Sequence, residues 1–154
     1  MGASPVPMAE GFRHITIALD GSAHSDHALD VALELCKRYE AKLTLVTVAP
    51  LPLVLSPPEP WVPPQVTDIE AGRYRDILDR AQRRCIQAGV NPAQAICLEG
   101  HVADELLTYL EKSPTDLLVV GSRGSSTAKR LLLGSVSDAL VHHAKCPVLV
   151  VKMG

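Results

Sequence analysis

DLLVVGSRGSSTAKRLLLGSV, residues 116–136, decides how this chain is read. Its opening, Asp116 to Val120, is a short apolar run that stops at a glycine, the pattern of a buried strand. Its end leads into Val136–His143, which reads as a helix, so Gly134 and Ser135 fall where that helix begins. A helix N-terminus presents N–H groups without intrahelical acceptors and a partial positive charge, which suits a phosphate. Gly121 and Gly124 let a ligand approach the backbone with no Cβ in the way. A strand, a glycine turn and a helix start, in that order, point to a chain built to hold a nucleotide.

Outward from this stretch, strand-like and helix-like segments alternate. His14–Leu19 is a β-branched run that stops at Asp20-Gly21-Ser22. A helix over about 25–39 has its inner face on Ala28, Val31, Ala32, Leu35, Cys36 and Tyr39. Leu43–Ala49 is a second strand, Ala95–Leu98 a third, Leu117–Val120 a fourth, and Val148–Val151, after Pro147, a fifth. A helix over Val102–Glu111 turns Leu106, Leu107 and Leu110 inward. The segment 50–65 holds seven of the chain's 12 prolines and reads as a Pro-rich surface loop, neither helix nor central strand. Its Trp61 is expected to pack on the body of the protein. Thr67–Glu70 is a capping box opening a long helix with Ile69, Tyr74, Ile77, Leu78, Ala81, Cys85 and Ala88 inward. Gly89 ends that helix, with Pro92 just beyond.

Strands alternating with helices imply a parallel sheet covered on both faces, an α/β fold. The second, fourth and fifth strands are the solid apolar runs that such burial requires. Ligands of open α/β sheets bind beyond the carboxyl ends of strands, where strand order reverses. Asp20, Val48 and Gly121 lie at such ends.

Composition narrows the classes. The chain has 154 residues, enough for one domain with a sizeable core. Residues 13–153 read as that domain, and 1–12 as a loose leader with neither the charge nor the apolar run of a signal peptide. Aromatic residues are 3% and the formal net charge is −2, so neither base stacking nor a basic surface favours nucleic acid. No apolar run approaches the ~20 residues of a membrane span. The four cysteines form no C-x-x-C pair and sit in apolar patterns, as reduced, buried thiols of a cytoplasmic protein do. His24 and His27 read as a solvated helix face, and the adjacent His142 and His143 do not share one.

Other phosphate motifs are absent: there is no G-x-x-x-x-G-K-S/T, no G-x-G-x-x-G and no G-x-S-x-G. What stands is G-x-x-G, nine residues, then G-S: Gly121, Gly124, Gly134 and Ser135. This spacing resembles the nucleotide-binding signature of the universal stress protein family. The resemblance runs from HITIALDGS through LLVVGSRG to LLLGSVSDALVHHAKCPVLVVK at the end of the chain. It implies a five-stranded parallel sheet of order 3-2-1-4-5 with helices on both faces, Rossmann-like and adenine nucleotide alpha hydrolase-like. It also implies the ATP-binding subgroup, with Mg²⁺ or Mn²⁺ assisting, a stress-response or signalling role, and a homodimer through Val148–Val151.

By the same resemblance Asp20 lies near the ribose and phosphates and can help hold the divalent cation, and the backbone of Val48 hydrogen-bonds adenine beside Ala18. Val120, Gly121 and Gly124 belong to the binding set along the ribose and phosphates, and Gly134, Ser135 and Val136 hold the phosphate chain. Each has a plainer explanation: turn glycines, an N-cap at Ser135, an Asx-turn at Asp20. Arg123, Lys129 and Arg130 can balance phosphate charge or face solvent, and Ser125 and Ser126 stand where many relatives carry larger or basic residues. There is no positioned general base and no P-loop lysine, so no catalytic residue is assigned and any ATP hydrolysis is slow. The alternatives are a weak ATPase and an interaction scaffold that binds cyclic AMP or another ligand.

Overall fold

The structure is a computed structural model that describes residues 11–50, 64–123 and 134–153, with the backbone alone over 64–71. The elements run β1 (His14–Leu19), α1 (Ala23–Tyr39), β2 (Lys42–Ala49), α2 (Pro64–Gln87), β3 (Gln94–Glu99), α3 (Val102–Lys112), β4 (Leu117–Gly121), α4 (Ser135–His143) and β5 (Val148–Val151). All five strands pair in parallel in the order β3-β2-β1-β4-β5. The fold class and strand order expected from the sequence are those observed.

Strand alternation divides the core in two. Ile15, Ile17 and Leu19 of β1, Leu43 and Leu45 of β2, and Leu117 and Val119 of β4 pack against α1 and α2. Val46 and Val48 of β2 and Leu118 and Val120 of β4 face the other way, against Leu106 of α3 and Leu140 of α4. β2 and β4 therefore carry buried apolar residues on both sides, as the continuous runs in the sequence require.

Local chemistry sets the element ends. The Ser22 hydroxyl accepts from the Ser25 N–H at 3.2 Å and caps α1. After α2, Val90 N–H donates to the Cys85 carbonyl at 2.8 Å and Gly89 N–H to the Ile86 carbonyl at 3.0 Å. Gly89 has φ +83°, so this is a Schellman stop with glycine at the left-handed position. The Asp116 carboxylate accepts from the N–H groups of Arg13 and His14, both at 2.9 Å, and ties the start of β4 to the start of β1.

Some expectations need correction. Pro64 belongs to α2 rather than to the loop, and Thr67 lies inside the helix rather than at its start. Proline is tolerated in a first helical turn, where its missing N–H has no intrahelical acceptor to lose. The fully buried face of α1 is Ser25, Ala28, Leu29, Ala32, Leu33 and Cys36; Val31 and Leu35 pack partly buried against the same core, Leu29 and Leu33 join the expected stripe, and Tyr39 is exposed. In α3 the expected inward face holds: Leu106 is buried, and Leu107 and Leu110 are half-buried against the same core cluster. Cys36 and Cys85 are buried, but Cys97 is exposed on edge strand β3 and Cys146 is half-buried. All four thiols are free. The leader up to residue 10, most of the Pro-rich loop with Trp61, and the side chains of Thr67, Ile69 and Glu70 lie outside the described residues.

Candidate functional site at the switch point

The chain leaves β1 towards β2 and leaves β4 towards β5, so the connections part between β1 and β4. A cleft of about 250 Å³ opens there, at the carboxyl ends of the strands. Ala18, Asp20, Val48, Val120, Gly121, Gly134, Ser135 and Val136 all line it. Gly124, Lys129 and Arg130, with Ser125 and Ser126, lie outside the described residues.

One part of the cleft is apolar, formed by Ala18 of β1, Val46 and Val48 of β2, and Val102 and Leu106 of α3. Another is the first turn of α4. Gly134 is its N-cap and makes no side-chain cap bond. The first intrahelical bond runs from Asp138 N–H to the Gly134 carbonyl at 2.9 Å. The N–H groups of Ser135, Val136 and Ser137 precede it and have no intrahelical acceptor. Ser135 is thus the first helical residue, and the cap position belongs to Gly134.

Asp20 is half-buried at the cleft wall. One carboxylate oxygen accepts the Ser22 N–H at 2.9 Å, an Asx-turn, while the side chain still borders the cleft. The turn-forming role and the position at the cleft wall therefore coexist in one residue. The charged side chains lining the cleft, among the described residues, are Asp20, Arg73 and Arg123.

Gly121 has a packing reason of its own. A Cβ there would meet the carbonyl carbon of His24 at 2.9 Å and its carbonyl oxygen at 3.0 Å. His24 is half-buried rather than on a solvated face, with Nδ1 3.4 Å from the Ser122 hydroxyl. His27 is exposed.

Sequence reasoning missed Arg73, Tyr74 and Ser137 as lining residues. Tyr74 was legible as an inward residue of α2, but nothing local says that this end of α2 reaches the cleft. Ser137 sits three residues beyond the glycine cap, where its hydroxyl bonds the Ser122 carbonyl at 3.0 Å and the Gly134 carbonyl at 3.1 Å.

Fold and cleft together define a Rossmann-like α/β protein with its candidate ligand site at the topological switch point. The chain belongs to the universal stress protein family, whose model matches residues 11–152. It is 33% identical over 149 residues to universal stress protein YxiE of Bacillus subtilis, covering 92% of this chain and 99% of that one. Among solved structures, the universal stress protein UspA from Lactobacillus plantarum shares the fold with a TM-score of 0.81, at 24% identity over 92% of this chain and 98% of its own. A universal stress protein solved in complex with cAMP is 30% identical with a TM-score of 0.69, over 92% of this chain and 97% of its own.

Proposed function

We propose that this protein binds an adenine nucleotide, ATP with a divalent cation, in the switch-point cleft, and acts as a cytoplasmic nucleotide-dependent stress-response module. The observation that carries the reading is the pairing, in one cleft, of an apolar wall with a helix start whose N-cap is a glycine and so has no side chain to engage the first-turn N–H groups. Ala18, Val46 and Val48 offer a base a dry surface, and the N–H groups of Ser135 and Val136 offer a phosphate chain donors and partial positive charge. Asp20 and the Gly121 backbone border the space between for the ribose and phosphates, with Val120 beside them. The 30%-identical neighbour solved with cAMP supports an adenine nucleotide and keeps a cyclic one in view.

The donor set fits a cation that arrives with phosphate. Among the described residues no group of three acidic, histidine or cysteine side chains could hold a metal alone. Asp20 has one oxygen engaged by Ser22 N–H, which leaves the other for Mg²⁺ or Mn²⁺ shared with phosphate oxygens. The reading is one of binding; no general base is assigned.

Purification without added nucleotide, heat denaturation and mass spectrometry of the released small molecules test it. Recovered ATP or ADP supports the reading, and Ser135→Ala should then weaken rebinding. An ADP-dominated pool with multiple turnover under Mg²⁺ moves the protein to the ATPases, and recovered cyclic AMP to the ligand sensors. An empty protein that also fails to bind ATP with Mg²⁺ by calorimetry sinks the nucleotide reading.

A second copy of the chain is the proposed partner, paired through β5. That strand is at the sheet edge, and Val148, Leu149 and Val150 are only half-buried. An apolar edge with unpaired backbone groups favours strand pairing.

A further inference from the structure

Three elements meet at Ser122, the residue after β4. Its N–H donates to the Val151 carbonyl at the end of β5 at 2.9 Å. Its carbonyl accepts twice, from Gly134 N–H at 2.8 Å and from the Ser137 hydroxyl at 3.0 Å. Its own hydroxyl lies 3.4 Å from Nδ1 of His24 on α1. Ser122 is 7% exposed and Ser137 4%, so water is a poor substitute for these partners.

Ser137 is the third residue of α4. Its single hydroxyl proton is in reach of the Ser122 carbonyl on the strand side and, at 3.1 Å, of the Gly134 carbonyl on the helix side. One side chain thus ties the exit of β4 to the first turn of α4, the two elements between which a phosphate would sit. The base-binding wall on β1 and β2 has no part in this bridge.

We propose that Ser137 is a positioning residue for phosphate. Together with Gly134 N–H it holds the exit of β4 and the first turn of α4 at one separation, so that the N–H groups of Ser135 and Val136 stay aimed into the cleft. The hydroxyl acts through the Ser122 carbonyl and needs no contact with the ligand. Without it, among the described residues, the first turn of α4 is anchored to Ser122 by the Gly134 N–H alone and can rock against β4. The inference rests on the nucleotide reading above and assigns to one side chain the cleft's preference for phosphorylated over bare nucleoside.

The test compares wild type, Ser137→Ala and Ser137→Thr by calorimetry with Mg-ATP and with adenosine, and by amide hydrogen exchange at Gly134 without ligand. Ser137→Ala should weaken ATP binding roughly five- to tenfold, the effect of one lost hydrogen bond. It should leave adenosine affinity unchanged and speed exchange of the Gly134 amide. Ser137→Thr, which keeps the hydroxyl, should restore both. Unchanged ATP affinity in Ser137→Ala, or equal losses for ATP and adenosine, overturns the proposal while the nucleotide reading stands. A loss for ATP with unchanged Gly134 exchange overturns it in favour of direct contact. A wild type that binds neither ligand overturns the nucleotide reading and the proposal together.

Discussion

Gly121 and His24 meet backbone to backbone: a Cβ on Gly121 would lie 2.9 Å from the His24 carbonyl carbon. The obstructing atoms include main chain of the first turn of α1, which no rotamer change can move aside. Gly121→Ala should therefore destabilise the protein by about 1–3 kcal/mol, the usual cost of overpacking a tight site. Urea unfolding without ligand reads this directly. An unchanged midpoint would mean that α1 backs away freely, and Gly121 would then be a clean probe of ligand approach.

Val150 lies on β5, the edge strand of the sheet among the described residues, and turns its backbone groups away from β4. Leu118 N–H donates to the Pro147 carbonyl and Ser122 N–H to the Val151 carbonyl, both at 2.9 Å. By strand alternation the odd-numbered residues of β5 turn their polar groups towards β4, and Val148 and Val150 turn theirs outward. Val150→Pro removes a donor from the free edge while sparing the β4 ladder. The variant should be monomeric by light scattering, with a melting temperature close to that of the isolated wild-type fold. A dimer that survives puts the interface elsewhere.

Cys36 and Cys85 are pushed up from 9.0 to about 11, each by burial first. Burial opposes the thiolate; for Cys36 the nearby Cys85 adds to the shift, and for Cys85 the Arg84 guanidinium opposes it. In the unfolded chain these thiols ionise at lower pH, so above about pH 9 the unfolded state binds fewer protons than the folded one. Their contribution is flat below that pH and falls as pH rises towards 11. Stability measured by urea unfolding should decline across that window, and the Cys36→Ala, Cys85→Ala double variant should decline less. A thiol reagent should label exposed Cys97 in the native protein and reach Cys36 and Cys85 only on unfolding; prompt native labelling of all of them would contradict their burial.

The sheet was legible because its signals are local. β1 and β5 fall on the expected residues, and Gly89 closes α2 in a Schellman turn, since a single left-handed residue decides that stop. The start of α2 was less legible: a proline at position 64 reads equally as loop or as first helical turn, and the chain uses the second. The inner face of α1 shows a different limit. Ala28, Ala32 and Cys36 belong both to the expected stripe and to the observed one. Val31 and Leu35 flank them on one side, Leu29 and Leu33 on the other, and periodicity alone does not say which side the sheet takes. The glycine signature similarly marks where a ligand would approach, but not that Arg73 and Tyr74 of α2 border the same cleft.

The order and kind of the elements, the parallel sheet and the sheet edge where the cleft opens were all readable from the sequence. Those follow from hydrophobic period, turn chemistry and helix caps, which act within a few residues. The tertiary structure alone decided the contacts that hold that site: His24 under Gly121, and the Ser122 carbonyl clasped by Gly134 and Ser137. A buried carbonyl must find a donor, but which donor reaches it depends on how segments far apart in the chain are packed, and no local spacing encodes that distance.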